Sequence, residues 1–138
     1  PAMTKTYDPR LVTMSFGSHI VTGFADDSHI TIEANGDGIT KKVGCDGEVA
    51  RALPTDRTHK VKCVLLQTSD SNSVFQAAYK RDLETGEGKA PLLIKDLKGG
   101  LLYSSEEAWI TKDATRTRGK DTNNNEWEFD SGSDDLSE

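Results

Sequence analysis

The feature that most constrains this chain is a two-residue alternation of apolar and polar side chains, repeated along the sequence and broken by turn residues. Val12, Met14 and Phe16 alternate with Leu11, Thr13 and Ser15. Successive side chains of a strand point to opposite faces, so this pattern predicts a strand with one buried side. Gly17 interrupts it, and His19 to Phe24 continues as a second short strand or as the far side of a bulge. After an Asp26-Asp27-Ser28 turn, Ile30 and Ile32 face one way and Thr31 and Glu33 the other. Asn35-Gly36-Asp37-Gly38 is a strong hairpin signal, because these residues tolerate positive φ at little cost. Lys60 to Gln67 predicts a central strand, with Val61, Cys63 and Leu65 on one face. Pro91 to Leu97 predicts another, followed by a tight Gly99-Gly100 turn and a partner beginning at Leu101 to Tyr103. Shorter strands are expected around Ala108-Trp109-Ile110 and Trp127–Phe129.

One segment departs from this period. Phe75, Ala78, Tyr79 and Leu83 recur at helical spacing, Ser73 and Gln76 have capping-box spacing, and Gly86 and Gly88 supply a stop. The whole predicts a mainly β fold: a β-sandwich or small barrel of about six to eight strands, with one α-helix at about residues 71–84 packed alongside. Residues 1–6 read as a flexible N-terminus, 7–130 as a single domain, and 131–138, rich in Ser, Gly and acids, as a mobile tail. Within the domain, residues 36–58 carry few apolar side chains and read as an extended arm that adds little to the core.

Composition limits function. The chain has 138 residues and a net charge of −6, from 23 acids and 17 bases. Binding a polyanion through its phosphates calls for a basic surface, so nucleic-acid recognition is disfavoured. No apolar run approaches the roughly 18 residues of a membrane span, and Pro1 to Thr6 lacks the apolar stretch of a secretory signal. Cys45 and Cys63 form no Cys-x-x-Cys pair and predict free thiols. His19, His29 and His59 are scattered, without zinc spacing. The adjacent acids Asp26-Asp27, Glu106-Glu107 and Asp134-Asp135 do not converge on one substrate if they lie in strands. Gly36 and Gly38 precede no helix or lysine that would cradle phosphate. No catalytic constellation and no cofactor are called for, and no enzyme is expected. One charged feature stands out, the basic stretch Lys112, Arg116, Arg118 and Lys120 in an acidic chain. It reads either as a solvated loop or as a contact for acidic surface on another copy, such as Glu128, Asp130, Asp134, Asp135 and Glu138.

Tyr7-Asp8-Pro9, Ser15-Phe16-Gly17-Ser18-His19-Ile20 and Gly23-Phe24-Ala25-Asp26 open a series of motifs that resembles the inner tail tube proteins of contractile-tailed phages. Lys41-Lys42-Val43-Gly44, Asp46-Gly47-Glu48, Pro91 to Leu97, Ala108-Trp109-Ile110 and Glu126-Trp127 continue it over roughly residues 7–130. The family is related in fold to the type VI secretion tube protein. The resemblance implies a structural subunit that assembles with itself into stacked hexameric rings, and tail sheath, baseplate and terminator proteins as further partners. It implies a virion component, made in the host cytoplasm, with DNA crossing the lumen without specific binding and with no membrane partner. A lumen wall of net negative charge is expected, Glu33 being one candidate. By the same resemblance, Lys41, Lys42, Asp46, Glu48 and Arg51 of the arm are candidate subunit or ring contacts, and the charge of the basic stretch adds Arg116, Arg118 and Lys120. Alternatives are the tube subunit of a phage-like particle or secretion system, and a monomeric β-sandwich binding module using Trp109 and Trp127.

Overall fold

The computed structural model describes residues 6, 11–25, 30–97, 100–121 and 123–138. Tyr7-Asp8-Pro9, the Asp26-Asp27-Ser28 turn, His29, Gly99 and all but Thr6 of the N-terminal segment lie outside these residues. In chain order the elements are β1 (Val12–Phe16), β2 (His19–Ile20), β3 (Ile30–Ala34), β4 (Thr40–Val43) and β5 (Val49–Ala52). They continue with β6 (His59–Leu66), α1 (Ser71–Thr85), β7 (Ala90–Asp96), β8 (Leu102–Arg116) and β9 (Asn124–Ser137). The fold is mainly β, as the alternation predicts.

Seven strands form one antiparallel sheet in the order β2-β1-β7-β8-β9-β6-β3, and β4 and β5 form a separate hairpin. The large sheet is not a closed barrel, but it bends back on itself. The segment after β2 is bonded to β1 at one end, Val21 N–H to Met14 C=O. At its other end it reaches β6, where Phe24 bridges Leu65, Ala25 N–H meets Val64 C=O and Leu66 N–H meets Gly23 C=O. Gly23 sits at φ 75°, and a Cβ there would lie 2.6 Å from Ser69 Cβ, so only glycine fits this crossing.

The inward faces hold one core. Met14 and Phe16 of β1, Val61, Cys63 and Leu65 of β6, and Leu92 and Ile94 of β7 are buried. Tyr103, Ala108 and Ile110 of β8 and Trp127 and Phe129 of β9 complete it. The helix drives Phe75 into this space, where its ring lies 5.5 Å from Trp127, 5.1 Å from Phe129 and 6.0 Å from Phe16. Burying an aromatic of this size stabilises by about 1.5–3 kcal/mol, so Phe75 is what holds the helix against the sheet. Polar ties finish the attachment. Trp127 Nε1–H donates to Asn72 Oδ1 at 3.0 Å, and Asn72 Nδ2–H donates to Leu66 C=O at 3.0 Å.

Four expectations need correction. The helix runs Ser71–Thr85 as expected, but Ser73 and Gln76 form no capping box: Ser69 Oγ accepts the Ser71 N–H, Ser73 Oγ–H donates to Asp70 C=O, and Gln76 meets Arg116. Leu83, placed on the apolar stripe, is 69% exposed, because the sheet covers only the first turns of the helix. The strands expected at Leu101–Tyr103 and Ala108–Ile110 are one strand, β8, bent by register shifts between Ser105 and Ala108 that scramble the alternation. The tail expected to be mobile stays in β9 to Ser137, with Leu102 opposite Ser137 and Tyr103 opposite Leu136.

Candidate assembly site

The β4–β5 hairpin is the part of the chain with no use for its own core. Every residue of both strands is exposed. Only its base is fixed. Asn35 N–H bonds Thr58 C=O at 3.0 Å, and its side-chain amide donates to Asp130 Oδ1 at 2.9 Å. Asp56 Oδ1 accepts from the Thr58 hydroxyl and N–H, which lowers the Asp56 carboxyl below its usual range. At the tip, Asp46 Oδ1 accepts the Glu48 N–H at 3.1 Å and Gly44 N–H meets Glu48 C=O. Asp46, a candidate contact, therefore serves its own turn, and Glu48 lies exposed beside it.

The register assigns the side chains to faces. Thr40 pairs with Ala52 and Lys42 with Ala50, which places these four on one face. Lys41 pairs with Arg51 and Val43 with Val49 on the other, and Ile39 and Leu53 extend that second face by alternation. Its apolar members are open to solvent: Ile39 57%, Val43 55%, Val49 56% and Leu53 62% exposed. Two cations directly opposite each other repel, and neither Lys41 nor Arg51 has an ion-pair partner among the described residues. A two-stranded hairpin alone is marginal in water. The cations were legible in the sequence. The apolar members were missed as contacts, because the adjacent lysines Lys41 and Lys42 break any alternation between Ile39 and Val43.

The basic stretch is not a free loop. Lys112 and Arg116 belong to β8. Lys112 Nζ lies 4.0 Å from Glu128, and Arg116 lies 3.0 Å from Asp113 with its guanidinium over the Trp127 ring at 5.6 Å. Arg116 also donates to Gln76, so it pins the helix to the sheet. The Arg118 guanidinium Nη1–H donates to Thr117 C=O at 3.0 Å, and Lys120 is exposed and unpaired among the described residues. The structure thus brings Lys41 and Arg51 together, separates them from Arg116, Arg118 and Lys120 in the fold, and uses Arg116 internally.

The acids divide as well. Asp134 has a side chain 2% exposed and accepts from His59 N–H at 2.7 Å, the Tyr103 hydroxyl at 2.9 Å and the Ser131 hydroxyl at 3.1 Å. Asp135 next to it is exposed and faces a shallow groove of 590 Å³ over β7, β8 and β9, together with Glu106, Ser104 and Pro91. Across the outer face of β3, β6, β9 and β8, signs alternate. Lys62 is opposite Glu128 and Lys112 is opposite Glu128 from the far side, while Glu33 lies 3.5 Å from Lys62. The remaining chemistry is quiet. Burial pushes the Cys63 thiol up to about 12, and no group of His, Cys, Asp or Glu that could hold a metal exists among the described residues. The Ser71 hydroxyl, fully buried, is taken up by His19 Nε2 at 2.8 Å and the Thr22 N–H at 3.1 Å. Trp127 is buried, and half-buried Trp109 stands on the other face, so the two form no common aromatic patch.

Known proteins place this arrangement. The structural protein ORF10 of Pseudomonas phage KPP10 is 36% identical over 115 residues, covering 78% of this chain, and the chain spans 66% of that relative's length. Solved structures share the fold at low identity. A sheath/tube terminator of the extracellular contractile injection system PVC superposes with a TM-score of 0.68 at 10% identity, over 99% of this chain and 100% of that one. A sheath–tube complex of PVC gives 0.64 at 8%, over 96% and 91%, and the tube-terminating cap of the anti-feeding prophage 0.60 at 8%, over 99% and 94%. The family model of the bacteriophage PhiTE tail tube protein matches residues 10–137. A curled antiparallel sheet, a plugging helix and an uncovered hairpin are therefore the form this sequence gives to a known family: the chain belongs to the bacteriophage PhiTE tail tube proteins.

Proposed function

We propose that this chain is the repeating subunit of a phage tail tube, that its copies close into hexameric rings, and that the rings stack around a channel through which DNA passes. The single observation that carries this reading is the β4–β5 hairpin, exposed on both faces and apolar on one. Such a hairpin finds its cover on another copy. Sheet edges with no strand partner among the described residues support the same conclusion. Trp109 to Arg116 of β8 lie beyond the start of β7, and Asp130 to Ser137 of β9 lie beyond the end of its pairing with β6. Backbone groups along such edges are templates for strands of a neighbour.

The role is structural and not enzymatic. Sheath, baseplate and terminator proteins are its further partners, and the virion is its location, after assembly in the host cytoplasm. DNA is a passenger. The outer face of β3, β6, β9 and β8 interleaves lysines with acids, as in Lys62–Glu128–Lys112, so a bore lined by it offers no run of cations to hold phosphates.

Negative-stain electron microscopy of the purified protein over a concentration series, with light scattering alongside, tests the reading. Hollow tubes or rings with six-fold symmetry are expected. Compact assemblies without a bore, or a dispersed chain that also fails to extend tube fragments added as seeds, would refute it.

A further inference from the structure

The geometry points to a specific lock between copies: the Lys41–Arg51 face of the hairpin docks into the acidic groove over β7, β8 and β9 of a second copy. This rests on the tube reading and names the partner surface that the reading leaves open. The hairpin face carries two opposed cations flanked by apolar pairs, Val43 with Val49 toward the tip and Ile39 with Leu53 toward the base. The groove carries the complement. Glu106 and Asp135 line it, neither has an ion-pair partner among the described residues, and its lining contains no basic residue. Asp135 lies directly opposite Ser104, Pro91 gives the groove an apolar wall, and Leu102, two residues from Ser104 on the same strand, is 40% exposed. Asp134, also at the groove, is held by His59, Tyr103 and Ser131, so the floor is rigid and the two outer acids remain for a partner.

The chain's own hairpin leaves this groove open, since all of its strand residues are exposed. Key and lock also occupy different parts of one surface. A contact of that kind is head-to-tail and propagates into a ring or a filament instead of closing as a two-fold dimer. Opposite charges across it steer the encounter and set the register, which makes assembly sensitive to salt.

Charge exchange tests the lock. Lys41→Glu with Arg51→Glu, and separately Glu106→Lys with Asp135→Lys, change only exposed side chains, so circular dichroism and thermal midpoint should stay at wild-type values. Each pair is expected to raise the concentration needed for assembly about tenfold or more, and all four changes together to restore it. Full assembly of either pair, or no recovery in the fourfold variant, would overturn the lock while leaving a tube-forming wild type intact. A second readout does not need tubes. A photo-crosslinker on exposed Cys45 at the hairpin tip, in a mixture of isotopically light and heavy chains, should capture β8 or β9 peptides of another copy. Capture within one chain, capture elsewhere, or none at high concentration would each overturn the proposal.

Discussion

Asp134 and Asp135 are adjacent, equally acidic and read alike in the sequence, yet the fold gives them opposite tasks. The Asp134 carboxylate is buried and accepts hydrogen bonds from β6, β8 and its own strand, whereas Asp135 faces solvent. Removing a buried acceptor strands its donors at about 1–3 kcal/mol, so Asp134→Ala should cost about 2–3 kcal/mol in a urea titration. Asp135→Ala should stay within about 0.5 kcal/mol. Equal losses would contradict the latch. Tyr103 adds a pH signature. Burial, above all, pushes its hydroxyl from 10.0 up to about 12, so folding favours the protonated phenol. Its contribution is complete below the unfolded value and fades as pH rises from about 10 through 12. Tyr103→Phe should remove that alkaline loss from the pH dependence of the unfolding midpoint, at a cost of about 1 kcal/mol below pH 10.

Elements were legible in proportion to the apolar contrast they carry. β1, β6 and β7 alternate Met14/Phe16, Val61/Cys63/Leu65 and Leu92/Ile94 with polar or outward residues, and the sequence predicts all three. The helix was legible from Phe75 and Ala78, but not its exposed end at Leu83. From Asp130 to Asp135, β9 has only small and polar side chains, so its alternation has no amplitude and the ladder to β8 makes it a strand. At the candidate site, charge was legible and geometry was not. Lys41 and Arg51 read as contacts, but their opposition across a hairpin depends on register, and the basic stretch gave no sign that Arg116 turns back onto Trp127. Two expectations belong to this scale. Phe75→Ala should lower stability by about 3–5 kcal/mol, while Leu83→Ala should change it by less than about 0.5 kcal/mol; a denaturant series on both compares them. Replacing residues 39–53 by a short Gly-Ser turn should leave the thermal midpoint unchanged and abolish assembly in light scattering. A large drop in midpoint would show that the hairpin serves its own domain.

As a whole, the molecule separates what makes it a domain from what makes it a subunit. One core, sealed by Phe75 and Trp127, needs no second copy. The hairpin strands lie outside that core, and at the acidic groove Glu106 and Asp135 are exposed with no ion-pair partner among the described residues. Hydrogen–deuterium exchange of the free subunit and of the assembled protein measures this division directly. The amides of Thr40–Val43 and Val49–Ala52 should exchange rapidly in the free chain and become protected on assembly, while those of β1, β6 and β7 should be slow in both states. Protection of the hairpin already present in the free chain, or fast exchange that persists in the assembled state, would contradict the claim that its cover comes from another copy.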